Sequence, residues 1–233
     1  MNNQPHEHIV RSYDEEQQRL VGELLRMGAM AAAQLEAALD VVERRDDNAA
    51  RRVVDNDDAI DALEHETSQD VIKLTLRGPL ARDLRQILAA LRIASDIERI
   101  GDYAANVAKR SIALNAAPPV PHTRGLRALG VLAMRQFDDV LAAYRDGDAA
   151  AAQRVHEADA ELDAQYTSLF RELLTYMMED PRNITSCTHL LFMAKNIERI
   201  GDHATNIAEN VWFLVHGGDG LPPRDKRDGT ATL

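Results

Sequence analysis

The sequence is poor in cysteine and in aromatic residues. Cysteine occurs once, at Cys187, so no disulfide can form within the chain, which is typical of a protein in a reducing compartment. Aromatic residues make up only 4% of the chain, whereas Ala, Leu, Arg, Glu and Asp are abundant. This composition favours long helices over β-sheet.

The chain also lacks an excess of positive charge and long apolar runs. It carries 27 Lys and Arg residues against 38 Asp and Glu residues, a formal net charge of −11, which argues against a nucleic-acid-binding protein. No run reaches the roughly 18 apolar residues that a membrane-spanning helix requires, and residues 1–13 are polar and unlike a signal peptide. We therefore predict a cytoplasmic protein whose acidity suits cations or basic partner surfaces.

What the sequence does contain is one hexapeptide that occurs twice. Residues 97–102 and 197–202 both read Ile-Glu-Arg-Ile-Gly-Asp, and each is followed by Ala and Asn at matching positions. An offset of 102 residues aligns further pairs, among them Gly28/Gly130, Gln34/Gln136, Leu39/Leu141, Asp57/Asp159 and Asp61/Asp163. The chain is thus an internal duplication of two units, each of which spans about a hundred residues.

Apolar periodicity predicts three helices in each unit. They cover about 11–45, 47–77 and 79–115 in the first unit and about 122–146, 148–179 and 182–215 in the second. Asp46 is the predicted N-cap of the second helix, and residues 118–121 (Pro-Pro-Val-Pro) form a stiff linker. We expect an all-α fold of two tandem, duplicated three-helix bundles, with a loose tail at 1–10, a first repeat at 11–117, a second repeat at 118–216 and a disordered tail at 217–233.

Each unit also carries two acidic pairs with a spacing of four residues: Asp57/Asp61 with Glu98/Asp102, and Asp159/Asp163 with Glu198/Asp202. Residues four apart share a helix face, and two carboxylates 5 Å apart repel by about 3 kcal/mol at an effective dielectric of 20. The pairs therefore indicate a bound cation, and all-oxygen ligands suit Mg²⁺, Ca²⁺, Mn²⁺ or carboxylate-bridged iron. Two alternatives stay open: an acidic helix face in solvent, paired with arginines such as Arg99, or a contact patch for another protein.

No catalytic pattern accompanies these acids. None of the eight histidines has a Glu three residues before it, as a ferritin-like di-iron centre would need, and no phosphate-binding glycine loop of the G-x-x-x-x-G-K type is present. Gly101 and Gly201 fall inside predicted helices at a cost of roughly 1 kcal/mol each relative to Ala, so we expect them to let another helix approach closely. The sequence predicts a protein that binds and does not catalyse.

The two hexapeptides resemble those of the PhoU family of bacterial phosphate-signalling regulators. The resemblance covers about residues 12–215 and includes Asp57-x-x-x-Asp61, Pro79-x-x-x-Asp83-Leu84-Arg85 and Asp180-Pro181. It implies two similar three-helix bundles and a homodimeric, non-enzymatic regulator that restrains the phosphate-starvation response when phosphate is plentiful. It also implies contacts with a membrane sensor histidine kinase and with the ATPase subunit of the phosphate ABC transporter.

The resemblance implies metal ligands as well, because some members of that family carry multinuclear iron or zinc clusters on such motifs. By motif match the ligands here would be Asp57, Asp61, Glu98, Asp102, Asp159, Asp163, Glu198 and Asp202. Asp96 has Asn196 as its equivalent, which leaves room for two sites of different affinity or nuclearity. A carboxylate-bridged metal enzyme, either a phosphatase or an oxidase, is the alternative function from another class.

Overall fold

The computed structural model describes residues 4–77, 81–119, 123–218 and 220–221. Within these ranges all regular structure is helical, and no strand occurs. The seven helices, with a short 3₁₀ turn before the last, are α1 Gln4–Arg44, α2 Asp47–Asp55, α3 Asp57–Thr75, α4 Ala81–Asn115, α5 Thr123–Asp146, α6 Ala149–Glu179, the 3₁₀ turn Pro181–Asn183 and α7 Ile184–His216. The predicted all-α fold of two three-helix bundles is confirmed, with α2 and α3 together forming the second helix of the first bundle.

The turns that follow α1 and α5 show the duplication at atomic detail. Asp46 caps α2 by accepting a hydrogen bond from the Ala49 amide at 2.9 Å, as predicted, and Asp148 caps α6 in the same way. The preceding residue is left-handed in both turns, Gly147 with φ 62° and Arg45 with φ 55°. A non-glycine residue is strained there, and the guanidinium of Arg45 stabilises the turn by donating to carbonyl oxygens at the end of α4 and just beyond it.

Two predicted helix boundaries are wrong. The second helix of the first unit, predicted as continuous over 47–77, is interrupted at Asn56, where the Ala59 amide donates to the Asn56 carbonyl in a tighter turn. The equivalent residue in the uninterrupted α6 is Ala158, the best helix former, whereas Asn favours turns. The predicted tail at 1–10 is also wrong from Gln4 onward, because α1 begins there. Of the predicted C-terminal tail, residues 219 and 222–233 lie outside the described residues, as do 78–80 and 120–122 between helices.

The two bundles share one apolar core and are related by a pseudo-two-fold axis. A Cβ on Gly28 of α1 would press on Leu141 of α5, and a Cβ on Gly130 of α5 would press on Leu39 of α1. Since Gly28 corresponds to Gly130 and Leu39 to Leu141, the contact is reciprocal, as in an isologous dimer interface. Apolar side chains of both halves belong to a single buried cluster.

Helices α4 and α7 form the second contact between the halves, and we call their exposed junction the seam. Equivalent aromatic residues, Tyr103 of α4 and His203 of α7, meet at its middle with ring centroids 5.6 Å apart. Contacts between α4 and α7 pair low residue numbers with high ones, so the two helices run antiparallel. None of the helices in the described part of the chain has the length and apolar character needed to cross a membrane.

Candidate carboxylate sites

The first candidate site lies between α3 and α4. Asp57 and Asp61 are one turn apart near the start of α3, and Asp102 lies on the adjacent face of α4. One carboxylate oxygen from each of these three residues lies within 4.8 Å of the others. The structure therefore brings together three of the four acids that the sequence predicts as ligands in this half.

Glu98, the fourth predicted ligand, lies outside this group of three and contacts an arginine. Its Oε2 atom is 3.3 Å from Nε of Arg99, which also donates from Nη1 to Oδ2 of Asp102 at 2.8 Å. Burial, followed by the charge of Asp102, raises the pKa of Glu98. The arginine pairing considered as an alternative for these acids is thus present for Glu98 and Asp102, whereas Asp57 and Asp61 form no ion pair with Arg99.

The surroundings of Asp57 raise the pKa of its carboxyl. Burial raises it from its ordinary value near 3.8 to about 6, and the charges of Asp102 and Asp61 add to the increase, while a hydrogen bond from Gln34 opposes it. The pKa of Asp61 is raised as well, first by burial and then by the charge of Asp102, while the charge of Arg99 opposes the increase. A cation between the three carboxylates would offset both the cost of burying their charges and their mutual repulsion, because a nearby opposite charge favours the ionised forms.

Gln34 of α1 is a site residue that sequence reasoning missed. Its Nε2 atom donates to Oδ1 of Asp57 at 2.7 Å and to the Gly101 carbonyl at 3.1 Å, so it ties α1 to both helices of the site. In the other half, Nε2 of Gln136 lies 3.4 Å from Oδ1 of Asp159. A signal was available, because the two glutamines are equivalent in the repeat and are polar residues within apolar helix stripes.

The mid-helix glycines explain how the acidic helices approach. A Cβ on Gly101 would lie 3.1 Å from Oδ1 of Asp57 and 3.0 Å from a methyl group of Ile60. A Cβ on Gly201 would lie 2.9 Å from Oδ1 of Asp159 and would overlap the side chain of Leu162. The expectation that these glycines allow another helix to approach is confirmed in both halves, and the second half is the tighter one.

The second candidate site, between α6 and α7, differs because its acids are buried. Asp159, Asp163 and Glu198 are only 1%, 4% and 5% exposed, and Asp202 on the next turn of α7 is half-buried. No group of three metal-ligating side chains within reach of one another is found here among the described residues. The four equivalent acids therefore lie on matching helices but in a different environment.

A lysine supplies positive charge in this second site. Lys195 donates from Nζ to Oε1 of Glu198 at 2.7 Å, and its ammonium lies 5.1 Å from the ring centroid of Tyr166. Burial nevertheless raises the pKa of Glu198, and Oε2 of this residue accepts no hydrogen bond from the described residues. The equivalent of Lys195 in the first half is Ser95, so only the second half carries this internal cation.

Asp96, considered above as an extra ligand, lies at the seam and not at the carboxylate site. Its Oδ1 atom contacts Nδ1 of His203 at 2.8 Å and accepts from Nδ2 of Asn206 at 3.1 Å. Both partners belong to α7, so Asp96 joins the two halves. The absence of a charged equivalent at Asn196 therefore bears on the seam and not on metal binding.

The two sites differ in what they can do chemically. The first offers only oxygen donors on partly accessible carboxylates, which fits a hard divalent cation or carboxylate-bridged iron. The second already contains an ammonium group, which a metal ion would have to displace. Neither site brings a nucleophile, a base and an orienting group together in the pattern of a catalytic triad among the described residues.

Fold and sites together define an all-helical protein of two repeats, with a carboxylate site between the second and third long helices of each. A family model described as "PhoU domain" matches the chain twice, at residues 24–111 and 126–211. The chain belongs to the PhoU family, as the hexapeptide resemblance predicted.

Individual relatives agree over nearly the whole length. The chain is 67% identical, over 100% of its length and 99% of the relative's, to a protein of Xylella fastidiosa (strain 9a5c) named "Phosphate-specific transport system accessory protein PhoU homolog". It is also similar to the crystal structure of PhoU from Pseudomonas aeruginosa, with a TM-score of 0.85, 35% identity, and 88% and 99% of the two chains covered. For the phosphate transport system regulatory protein PhoU from Streptococcus pneumoniae the TM-score is 0.82, with 26% identity and 88% and 97% coverage. These names describe accessory and regulatory proteins, in agreement with the prediction that the chain is not an enzyme.

Proposed function

We propose that this chain is a regulatory accessory protein of a phosphate transport system and acts by binding. The observation that supports this most directly is the full-length similarity to relatives named as accessory proteins of that system. The sites add physical support, because paired carboxylates without a catalytic constellation suit a cation or a basic surface better than turnover.

The proposal extends to the location of the protein and to its partners. We place the protein in the cytoplasm as a homodimer, where it contacts a membrane sensor histidine kinase and the ATPase subunit of the phosphate transporter. Through these contacts it restrains phosphate-starvation signalling and phosphate uptake when phosphate is plentiful. The family resemblance is the basis for these partners and for the negative sign of the regulation.

Metal binding is the second part of the proposal. Asp57, Asp61 and Asp102 would hold a divalent cation in the first half. Glu98 is the fourth candidate ligand, and its side chain would have to give up its contact with Arg99 to reach the ion. The ion would neutralise the carboxylates and fix α3 against α4. The family resemblance favours iron or zinc, whereas the all-oxygen donor set suits Mg²⁺, Mn²⁺ or Ca²⁺. Asp159, Asp163, Glu198 and Asp202 would bind metal less readily, because Lys195 is already paired with Glu198.

A deletion strain tests the regulatory role. Loss of the chain should leave a phosphate-starvation reporter active in phosphate-rich medium, and expression of the wild-type chain should silence it. Pull-downs with the cytoplasmic part of the kinase and with the transporter ATPase test the contacts. If neither protein binds while the metal-loaded chain hydrolyses a phosphate ester, the metal-enzyme alternative replaces this proposal.

Elemental analysis of protein purified without chelator or affinity-tag metal tests the metal site. The double variant Asp57→Asn with Asp61→Asn should lose at least half of the bound metal. Asp58→Asn is the matched control, since Asp58 is an exposed acid on the same turn of α3 that is not part of the group of three. Equal metal content in all three proteins would place the ion elsewhere.

A further inference from the structure

The two ends of the α4–α7 seam are equivalent by the pseudo-two-fold axis but differ in charge. One end, which we call the acidic end, carries the carboxylates of Asp96 and Glu209. Arg92 lies there as well, 5.9 Å from the ring centroid of Phe213. A polar groove of about 360 Å³ opens beside it, lined by Arg92, Ser95, Asp96, Asn206, Glu209 and Asn210. An offset of 100 residues maps these six positions to the opposite end of the seam, where the residues are Phe192, Lys195, Asn196, Asn106, Lys109 and Arg110.

Four of the five substitutions between the two ends shift charge in the positive direction. Glu209 is replaced by Lys109, Asp96 by Asn196, and neutral residues at two further positions are replaced by Lys195 and Arg110. Only the exchange of Arg92 for Phe192 removes a positive charge, and it supplies an aromatic ring instead. We call this second end the cationic end. It is a local exception on a chain whose net charge is −11.

Side chains at the cationic end are available to a partner. Phe192 is 50% exposed, and the guanidinium of Arg110 lies over its ring, 4.2 Å from the centroid. Lys109 is exposed and forms no ion pair with the described residues. Lys195 is paired with Glu198, whereas Lys109 and the ring-stacked Arg110 form no ion pair with a carboxylate of the described residues.

We propose that the cationic end binds an acidic amphipathic helix of a partner protein. Arginine and aromatic side chains dominate binding energy at protein interfaces, and the junction of two antiparallel helices is a groove into which a third helix can pack. Acidic residues of that helix would meet Lys109 and Arg110, while its apolar face would cover Phe192. The proposal rests on the binding role proposed above and is independent of metal.

Two other occupants fit less well. A nucleic acid needs many phosphate contacts, and the cationic end offers only two cations, Lys109 and Arg110, that are not paired with a carboxylate of the described residues. A second copy of this chain would have to present its own acidic end, where Asp96 already accepts hydrogen bonds from His203 and Asn206. Only Glu209 would then remain to meet Lys109.

The duplication supplies a variant that should fold. Lys109→Glu combined with Arg110→Asn installs the residues that the equivalent positions, Glu209 and Asn210, carry in the same helical environment. Glu209→Lys is the matched control at the acidic end. We expect the double variant to bind the transporter ATPase or the kinase cytoplasmic part about tenfold more weakly than wild type, with a weaker salt dependence, and the control to bind within about twofold of wild type.

Zero-length cross-linking with a carbodiimide identifies the chemistry of the contact, because it joins an amine to a carboxylate at an ion pair. Cross-links from Lys109 to Asp or Glu residues on one helix of the partner support the proposal. Unchanged binding by the double variant, or cross-links that join Lys109 to Glu209 of a second copy, would overturn it and leave the regulatory role intact. If wild-type protein binds neither partner, the proposed function fails first and this surface fails with it.

Discussion

Replacement of Lys195 by serine tests whether the second carboxylate site is held by an internal cation. Serine is the residue at the equivalent position of the first half, so the helix should tolerate it. The change leaves Glu198, which is 5% exposed, without its ammonium partner. Removing one member of a buried pair costs about 3–5 kcal/mol, but the Lys195 side chain is 36% exposed, so water lessens the loss, and we expect about 2 kcal/mol.

Urea unfolding in the presence of a chelator measures this cost. At a slope typical of small proteins, 2 kcal/mol corresponds to a decrease of about 1 M in the urea midpoint. A divalent cation should then restore the variant, because the emptied position suits a hard ion. At a free Mn²⁺ concentration a hundredfold above the dissociation constant, binding would add about 2.7 kcal/mol to the free energy of unfolding of the variant. We expect this increase to be larger than the one that Mn²⁺ causes in the wild-type protein.

A second variant separates charge from packing. Lys195→Ser combined with Glu198→Gln removes both charges, so it should regain most of the stability without metal and lose the additional response to Mn²⁺. Two results would contradict the role given to Lys195. One is an unchanged midpoint for Lys195→Ser in chelator, and the other is an identical Mn²⁺ response in wild type and variant.

Three further predictions concern the first site and the glycines. The folded state retains the proton of Asp57 up to about pH 6, whereas the unfolded chain loses it near 3.8, so the free energy of unfolding falls as pH rises between these values. Asp57→Asn should remove this contribution of Asp57 and stabilise the metal-free protein at pH 7 by about 1–2 kcal/mol. Urea titrations at several pH values measure both effects. Gln34→Leu should raise the Asp57 pKa further, which NMR titration of the carboxyl can follow. Gly201→Ala should lower the free energy of unfolding by about 2–3 kcal/mol, since overlap with Leu162 outweighs the gain in helix propensity. Gly101→Ala should lower it by less than half as much. Urea unfolding that gives the reverse order would contradict the packing described.

The helices and the pairing of the acids could be predicted because both follow from fixed helical geometry. Glu98 and Asp102 share a face whatever surrounds them, and the 102-residue offset makes Asp57 and Asp159 equivalent. The break at Asn56 was not predictable from apolar periodicity, which continues through it. Nor was the partner of Glu198, since the path of the Lys195 side chain depends on Tyr166, a residue of another helix.

The different charged residues of the two sites are possible because the two-fold contacts form within one chain. The reciprocal packing of Gly28 on Leu141 and Gly130 on Leu39 has the symmetry of a dimer of single repeats, in which every substitution would appear in both subunits. Covalent linkage removes that requirement, so a change can be confined to one repeat. The second repeat has therefore acquired an internal ammonium group at Lys195, while the first repeat has Ser95 at that position and keeps its carboxylates open to cations from solution.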